Sequence, residues 1–336
     1  MTDEADELVG RLLDGDQRAL ARAITWIEDR RPGYRDVVDR LYRASGDAHV
    51  VGVTGAPGSG KSTLVDQATE VHREREVDVG VVAVDPSSPY TGGAVLGDRI
   101  RMSRHSGDPG VFVRSMSARG SLGGLSTAAS DAVRALDAFG FDVVYLETVG
   151  AGQNEVDVVR VADTVSVLVQ PGGGDAVQTL KAGILEIADV FVVNKADMRG
   201  ADRTVEQLRE LVGGAPTSGG GHHGVEDRMD VGGERDDGGW TPSVVETVAK
   251  SGEGVEDYVA RLADHRDWLQ ATEAGARAMS RRTEMEIQNL VRERLSEAVE
   301  REIQGRGGLE ALARDVSDGE LTPHEAADEV VSGVLD

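Results

Sequence analysis

The stretch Gly55-Ala56-Pro57-Gly58-Ser59-Gly60-Lys61-Ser62-Thr63 matches G-x-x-x-x-G-K-[ST], a pattern typical of a phosphate-binding loop. A short β-branched apolar run precedes it at 49–54, and helical character follows from Ser62 to residue 72. A strand that leads into a glycine-rich turn and a helix directs backbone N–H groups and the helix dipole at one point, which suits a chain of phosphates. We expect the whole stretch to bind a nucleotide, with Lys61 on the β- and γ-phosphates and the Ser62 hydroxyl on Mg²⁺.

Strand and helix signals alternate from about residue 49 to about residue 262. This alternation favours an α/β fold of the P-loop NTPase class, with a mostly parallel sheet and helices on both of its faces. Ligands bind such sheets at the carboxyl ends of the strands, where the loop at 55–60 falls. The predicted strands are 49–54, 78–84, 111–114, 142–147, 164–169, 190–194 and 243–248, and the predicted helices include 62–74, 125–138, 175–187 and 201–212.

Helical segments are predicted on both sides of the central domain at 47–264. Residues 1–46 carry leucine and isoleucine at helical spacing and predict a helical N-terminal extension. Residues 265–336 predict a helical C-terminal arm with an apolar stripe, and we expect this arm to pair with a second copy of the chain in a homodimer. The stripe contains Ile287, Val291, Leu295, Val299 and Ile303.

Residues 213–240 interrupt the alternation of strands and helices. They are rich in glycine and aspartate and offer little apolar surface to bury, so they predict a flexible acidic insertion. The pair His222-His223 could bind a metal. An exposed polar doublet is the favoured interpretation, because nothing in the surrounding sequence fixes a ligand geometry.

The composition excludes several classes of function. The formal net charge is −24 over 336 residues, which argues against binding to nucleic acid or to an anionic membrane. The chain has no cysteine, which excludes disulfides, thiolate metal sites and cysteine nucleophiles. No apolar run approaches the length of a membrane span, and the acidic N-terminus lacks the pattern of a signal peptide, so we expect a cytoplasmic protein.

Arginine supplies nearly all of the positive charge, since the only lysines are Lys61, Lys181, Lys195 and Lys250. An acidic surface with so little lysine is typical of proteins from salt-loving microbes. Molar salt shortens the Debye length to about 3 Å and screens the self-repulsion of such a surface. We hypothesise that the fold requires high salt; an identical melting temperature in low and in molar KCl would contradict this.

The sequence Asn194-Lys195-Ala196-Asp197 directly follows a predicted strand and matches the N-K-x-D signature of GTP-binding proteins. Guanine presents its N1–H and its exocyclic amine side by side, and the Asp197 carboxylate can accept both. Adenine lacks that pair of donors, so a buried carboxylate would reject it. Asn194 and Lys195 are expected to brace the loops around the base. Ala249 and Lys250 follow the last strand, where GTPases carry a loop that contacts guanine.

Acidic residues follow two other predicted strands. Glu147-Thr148-Val149-Gly150 occupies the place where GTPases usually carry D-x-x-G, so we expect Glu147 to lie near Mg²⁺, in direct contact or through water. Gln153 could orient the attacking water, although a strand-end turn with satisfied polar groups would also explain it. Asp85 and Asp98 are further candidates for Mg²⁺ ligands or switch residues.

The glycine-rich loop at 171–174 precedes three polar residues at helical spacing, Asp175, Gln178 and Lys181. A loop of this kind can move, so these three residues are candidate switch residues. Lys181 is in addition a candidate catalytic residue, together with Lys61, Glu147 and Gln153.

Several of these stretches together resemble the MeaB/ArgK family, the GTPase chaperones of adenosylcobalamin-dependent acyl-CoA mutases. Older members are labelled lysine/arginine/ornithine transport ATPases. The resemblance extends from the phosphate-binding loop to the last third of the chain. The similar stretches are GAPGSGKST (55–63), AVDPSSPYTGGAVLGDRIRM (83–102), RGSLGGL (119–125), ETVGAGQNE (147–155), NKAD (194–197) and the late helical arm.

The resemblance implies Mg²⁺-dependent GTP hydrolysis that is slow alone and stimulated by methylmalonyl-CoA mutase, and that gates cofactor delivery to this mutase and its protection. It also implies a homodimer built by the C-terminal arm. For individual residues it implies a metal or switch role at Asp85, Asp98 and Glu147, and a switch at Asp175, Gln178 and Lys181 that senses the mutase. The long insertion and the reading Thr247-Val248-Ala249, where a serine usually precedes the alanine, depart from the family pattern.

Two alternative functions remain open from the sequence. A GTPase that inserts nickel into an enzyme needs cysteine or histidine clusters, and His222-His223 is the one candidate. A kinase of a transport-binding protein would fit the older family label. The Asn194–Asp197 signature argues for guanine and against a kinase that uses ATP.

Overall fold

One seven-stranded sheet forms the centre of the protein. In a computed structural model its strands are β1 (His49–Gly55), β2 (Val79–Asp85), β3 (Val111–Ser117), β4 (Val143–Glu147), β5 (Thr164–Val169), β6 (Val190–Asn194) and β7 (Ser243–Thr247). Their order is β3-β2-β4-β1-β5-β6-β7, and each neighbouring pair is parallel. The predicted fold class is confirmed. The structure describes residues 3–85, 103–105, 107–117, 127–148, 158, 161–171, 187–212 and 239–335.

Ten α-helices lie within these described ranges, in addition to a 3-10 helix at Ser103–His105. They are α1 (Asp3–Leu13), α2 (Gln17–Glu28), α3 (Tyr34–Ala44), α4 (Lys61–Glu74), α5 (Thr127–Phe139), α6 (Ala201–Val212), α7 (Val255–Ala271), α8 (Glu273–Gly305), α9 (Leu309–Ser317) and α10 (Pro323–Leu335). The predicted helices at 62–74, 125–138 and 201–212 correspond to α4, α5 and α6. The helix predicted at 175–187 lies almost entirely outside the described residues.

Helices cover both faces of the sheet, which explains why its inner strands are apolar throughout. Every residue of β1, β4, β5 and β6 is buried, as expected for parallel strands covered on both sides. On one face, α4 and α7 pack through Leu64, Val65, Tyr258 and Leu262. On the other face, the core includes side chains of α5 and α6. The sheet is therefore held rigidly, and its carboxyl edge presents the loops.

The N-terminal helices α1 to α3 pack together against α5, as a predicted helical extension should. Asp137 on α5 anchors the entry to β1, because its carboxylate accepts the backbone N–H groups of Gly46, Asp47 and Ala48 at 2.7, 3.2 and 3.0 Å. This contact fixes the start of the strand that leads into the phosphate-binding loop.

The chain divides into two compact units, Met1–Met279 and Ser280–Asp336. In the second unit, Thr322 and Glu325 cap the start of α10 reciprocally, with hydrogen bonds of 3.2 and 2.8 Å between each side chain and the other residue's backbone N–H. Arg306 donates to Glu302 and Glu329 at 2.7 and 2.8 Å and ties α8 to α10. The domain boundaries at 46/47 and 264/265 stay predictions.

Within the part of the chain that the structure describes, no helix is both long enough and apolar enough to cross a membrane. The longest, α8, has 33 residues. Its sequence carries charged residues along its whole length.

Candidate functional site

The glycine-rich turn between β1 and α4 adopts a conformation that depends on its glycines. Gly55, Gly58 and Gly60 have φ angles of 139°, 78° and 99°, in the region that side chains disfavour. A Cβ at Gly55 would lie 2.4 Å from the Leu168 carbonyl oxygen, and one at Gly60 would lie 2.3 Å from Asn194 Nδ2. The loop is thus packed between β5 and the end of β6, and only glycine fits at both contacts.

Lys61 opens α4 and turns back over the loop. Its ammonium group donates to the carbonyl oxygens of Gly55 and Ala56 at 2.8 and 3.3 Å, and the residue is only 6% exposed. Ser59 in the same turn is fully buried, and its hydroxyl has no hydrogen-bond partner among the described residues. A buried ammonium and a buried hydroxyl without a partner among the described residues fit a bound phosphate chain.

Ser62 and Glu147 meet at the carboxyl edge of the sheet. The Ser62 hydroxyl donates to Glu147 Oε1 at 2.6 Å, and both residues are buried. Thr148, directly after β4, is held against β1, because its backbone N–H donates to the Val53 carbonyl at 3.1 Å. A hydroxyl and a carboxylate side by side supply the oxygen ligands that Mg²⁺ prefers.

Asp85 ends β2 next to this pair. Ala83 is in register with Glu147 across the β2–β4 ladder, so Asp85 lies two positions further along the neighbouring strand. The structure describes its backbone and not its side chain. The backbone places Asp85 at the same edge as Ser62 and Glu147.

Asn194, at the end of β6, contacts the phosphate-binding loop, the end of β7 and the loop after β7. Its side-chain amide donates to the Ser59 carbonyl at 2.7 Å. Its oxygen accepts the Thr247 hydroxyl and the Ala249 backbone N–H, both at 3.1 Å. The phosphate-binding loop and the loop after β7 are therefore fixed to one buried amide, which explains why an asparagine stands at this strand end.

Lys195 follows in a left-handed conformation with φ of 62°. Its ammonium group donates to the Gly58 carbonyl at 2.7 Å and to Gln170 Oε1 at 3.1 Å. Ala196 is held by a hydrogen bond of 3.0 Å from its N–H to the Thr247 carbonyl, and Asp197 is exposed. This arrangement leaves the Asp197 side chain accessible to a ligand.

A sequence model of the family described as "Methylmalonyl Co-A mutase-associated GTPase MeaB" matches residues 20–304 of the chain. The chain belongs to the MeaB family. It is 44% identical to a putative GTPase of Pyrococcus abyssi over 98% of this chain and 97% of that protein. It is also 31% identical to the mitochondrial methylmalonic aciduria type A homolog of Mus musculus, over 96% of this chain and 78% of that protein.

A solved structure of a LAO/AO transport system kinase has the same fold. The TM-score is 0.68, with 22% sequence identity over 100% of this chain and 99% of the other. At that identity the likeness supports the fold alone. The resemblance to the MeaB/ArgK family that the sequence indicated is confirmed, and with it the P-loop NTPase fold of this MeaB-family GTPase.

The structure brings part of the predicted site of this MeaB-family chain together and leaves the rest undescribed. The loop at 55–63, Glu147, Asn194, Lys195, Asp197 and Ala249 lie along one edge, and Lys250 is exposed on the loop after β7. Predicted residues that lie outside the described ranges are Asp98, Gln153, Asp175, Gln178, Lys181 and the pair His222-His223. Within those ranges, no group of three or more His, Asp or Glu side chains could hold a metal ion.

Sequence reasoning missed a buried carboxylate on α4 and an amide contact of the candidate site. Asp66 lies one turn after Ser62 on α4, and burial raises the pKa of its carboxyl although Arg104 and His105 lie 3.5 and 3.4 Å away. Gln170, directly after β5, accepts from Lys195. A polar residue directly after an otherwise apolar strand was the available signal for Gln170. Asp66 had no comparable signal, since isolated aspartates are common in this chain.

Proposed function

We propose that the chain binds GTP with Mg²⁺ and hydrolyses it to GDP and phosphate. The observation that carries this proposal is the convergence on one sheet edge of the phosphate-binding loop, the Ser62–Glu147 pair and the Asn194–Asp197 motif. The family membership of the chain supports the same reaction.

The guanine base is assigned to the loops after β6 and β7. Asp197 accepts the N1–H and the exocyclic amine of guanine, while Lys195 packs its stem over the ring. Asn194 acts through the loops, because its amide already bonds to Ser59, Thr247 and Ala249. Ala249 and Lys250 lie on the loop that closes the base from the other side.

The phosphates are assigned to residues 55–63, with Lys61 releasing its two carbonyl partners to pair with the β- and γ-phosphate oxygens. Ser62 and Glu147 would hold Mg²⁺, with Asp85 and Asp98 as further ligands or outer partners. Bound Mg²⁺ supplies neutralisation of the charge that develops on the phosphates. Gln153 is proposed to orient the attacking water, and Lys181 to stabilise charge at the γ-phosphate.

We further propose that the nucleotide state controls the loading and protection of an adenosylcobalamin-dependent methylmalonyl-CoA mutase. The family description names an association with this mutase, and the mouse relative carries a methylmalonic aciduria name. Contacts with the γ-phosphate would order one set of loops and release them after hydrolysis. Asp175, Gln178 and Lys181 are the proposed switch residues that sense the mutase.

The C-terminal arm is proposed to form a homodimer. Ile287, Val291 and Leu295 lie four residues apart on α8 and are 55, 50 and 52% exposed. Apolar side chains at this spacing suit a second copy of the same helix. Light scattering of the purified protein tests this, and a monomeric mass at micromolar concentration would contradict it.

GTP turnover with and without a purified methylmalonyl-CoA mutase tests the reaction and the partner separately. We expect slow release of phosphate alone and faster release with the mutase. Stimulation by an unrelated acyl-CoA enzyme to the same degree would contradict the partner, and no turnover in either case would contradict the reaction.

Asp197→Asn tests the assignment of guanine. The amide presents a donor where the carboxylate presented an acceptor, so affinity should fall about a hundredfold for GTP and rise for xanthosine triphosphate. Calorimetric titration of both nucleotides measures the change. An unaltered order of affinities would place the base elsewhere.

A further inference from the structure

We propose that Gln170 is a positioning residue that holds Lys195 in place for the guanine base. By doing so it would set the affinity for both GDP and GTP without choosing between purine bases. This inference rests on the proposed function, because it assigns a role to Gln170 within the same nucleotide site.

The contact joins the residues that follow two neighbouring strands, β5 and β6. Gln170 directly follows β5, and β5 lies between β1 and β6 in the sheet. Its side chain therefore starts between the phosphate-binding loop and the guanine motif. From there Gln170 Oε1 accepts the Lys195 ammonium at 3.1 Å, while the Gly58 carbonyl accepts it at 2.7 Å from the other side.

Lys195 depends on such anchors for two reasons. Its backbone is left-handed, with φ of 62°, which a residue with a side chain adopts only when its surroundings hold it. Its side chain is long and flexible, so an unanchored lysine would lose rotamer freedom each time a nucleotide bound. Two acceptors on separate elements hold the Lys195 side chain before the nucleotide binds, so less side-chain entropy is lost on binding.

The chemistry of glutamine suits this role. Its amide oxygen accepts a hydrogen bond from the ammonium group and leaves the positive charge in place. Leucine at this position would keep a similar volume and lose the acceptor. Glutamate would keep an acceptor and add an ion pair with Lys195.

Gln170→Leu and Gln170→Glu form the test, with Gln270→Leu as a matched control, since Gln270 is exposed on the last turn of α7. Titration calorimetry with GDP and with a nonhydrolysable GTP analogue measures Kd. We expect Gln170→Leu to raise the Kd of both ligands by about fivefold to tenfold, because the unanchored Lys195 side chain must then be ordered on binding. The KM for GTP should rise by a similar factor, with a much smaller change in kcat.

The conservative variant and a double mutant separate positioning from a general loss of structure. The Kd values of Gln170→Glu for GDP and for the GTP analogue should lie within about twofold of those of the wild type. In a Lys195→Met background, which keeps the stem and removes the ammonium, Gln170→Leu should change Kd by less than about twofold, because its partner is gone.

The contradicting results distinguish a failure of the role proposed for Gln170 from a failure of the proposed function. Equal Kd values for the wild type and Gln170→Leu, or an undiminished effect of Gln170→Leu beside Lys195→Met, would overturn the role of Gln170 alone. A wild-type protein that binds neither GDP nor the GTP analogue would overturn the proposed function and this inference together.

Discussion

At the carboxyl end of the sheet, three polar side chains donate to the main chain of the glycine-rich turn, whereas at the amino end a buried hydroxyl lies between two histidine side chains. Lys61, Asn194 and Lys195 donate to carbonyl oxygens of residues 55–59. At the amino end, the hydroxyl of Thr164 lies 2.6 Å from His49 Nε2 and 2.7 Å from His265 Nδ1.

The amino-end network is closed by packing. Asp189 lies 3.5 Å from His265 Nε2, and its carboxylate accepts the Val165 N–H at 2.8 Å. The Trp240 indole donates to the Asp189 carbonyl at 2.9 Å and lies with its ring centroid 4.7 Å from that of His265. Aromatic rings thus cover one side of this network.

Buried polar groups at the two ends differ in whether a ligand can replace their partners. A carbonyl oxygen that accepts from Lys61 can be exchanged for a phosphate oxygen, which is a stronger acceptor for an ammonium group. The Thr164 hydroxyl lies between two histidines, and each of these groups is already the partner of another. A phosphate oxygen therefore has no partner to replace there. We therefore assign binding to the carboxyl end and stability to the amino end.

Lys61→Ala should produce the largest effect. It should impair nucleotide binding at the carboxyl end of the sheet and leave the network at the amino end intact. We expect GTP affinity to fall by more than about a hundredfold, because the ammonium group that pairs with the phosphates is removed. Stability should change little, since the lost hydrogen bonds go to carbonyls of the loop itself. Calorimetric titration and urea unfolding measure the two quantities. Tight binding that survives the substitution would show that the phosphate site is misassigned.

The strands of the sheet and the two nucleotide-binding motifs could be predicted from local sequence. The strands predicted from apolar runs agree with the sheet, and the predicted strand at 164–169 and the predicted strand at 190–194 have the observed ends. The loop at 55–63 and the Asn194–Asp197 motif could be identified because all the residues that define each motif are consecutive in the sequence.

Contacts between distant residues were not predictable in the same way. The predicted strand at 111–114 ends where polar residues begin, yet β3 continues to Ser117 because the backbone stays paired with β2. Arg114 is tolerated there because its guanidinium donates to Glu28 on α2 at 2.7 Å. The network around Thr164 and the contact of Gln170 with Lys195 likewise join segments that are far apart in sequence.

Thr164→Val should give the next largest effect, and at the opposite end. Valine keeps the shape and removes the hydroxyl that lies between His49 and His265, so buried ring nitrogens lose a partner. We expect the free energy of unfolding to fall by roughly 2 to 3 kcal/mol, with GTP affinity within about twofold of the wild type. Urea unfolding and calorimetric titration measure both. A loss of GTP affinity without a loss of stability would mean that the amino end serves binding and not stability.

His72→Gln should give the smallest effect, on the helix α4 that starts at the phosphate loop. His72 Nε2 lies 3.1 Å from the Tyr145 hydroxyl, and burial lowers the pKa of His72 to about 4. The unfolded chain takes up this proton below about pH 6.5, so the contribution of neutral His72 is complete above that pH and is lost as the pH falls towards 4. By pH 5 the loss amounts to roughly 2 kcal/mol.

Glutamine keeps a hydrogen-bonding group for Tyr145 and has no proton to take up. The free energy of unfolding of His72→Gln should therefore fall less between pH 7 and pH 5 than that of the wild type, by roughly 2 kcal/mol. Urea unfolding at both pH values measures this difference, and comparison of the two proteins cancels the titration of the many surface carboxylates. Parallel losses in the two proteins would mean that His72 is protonated in the folded state, and α4 would then be less tightly packed on the sheet than the geometry indicates.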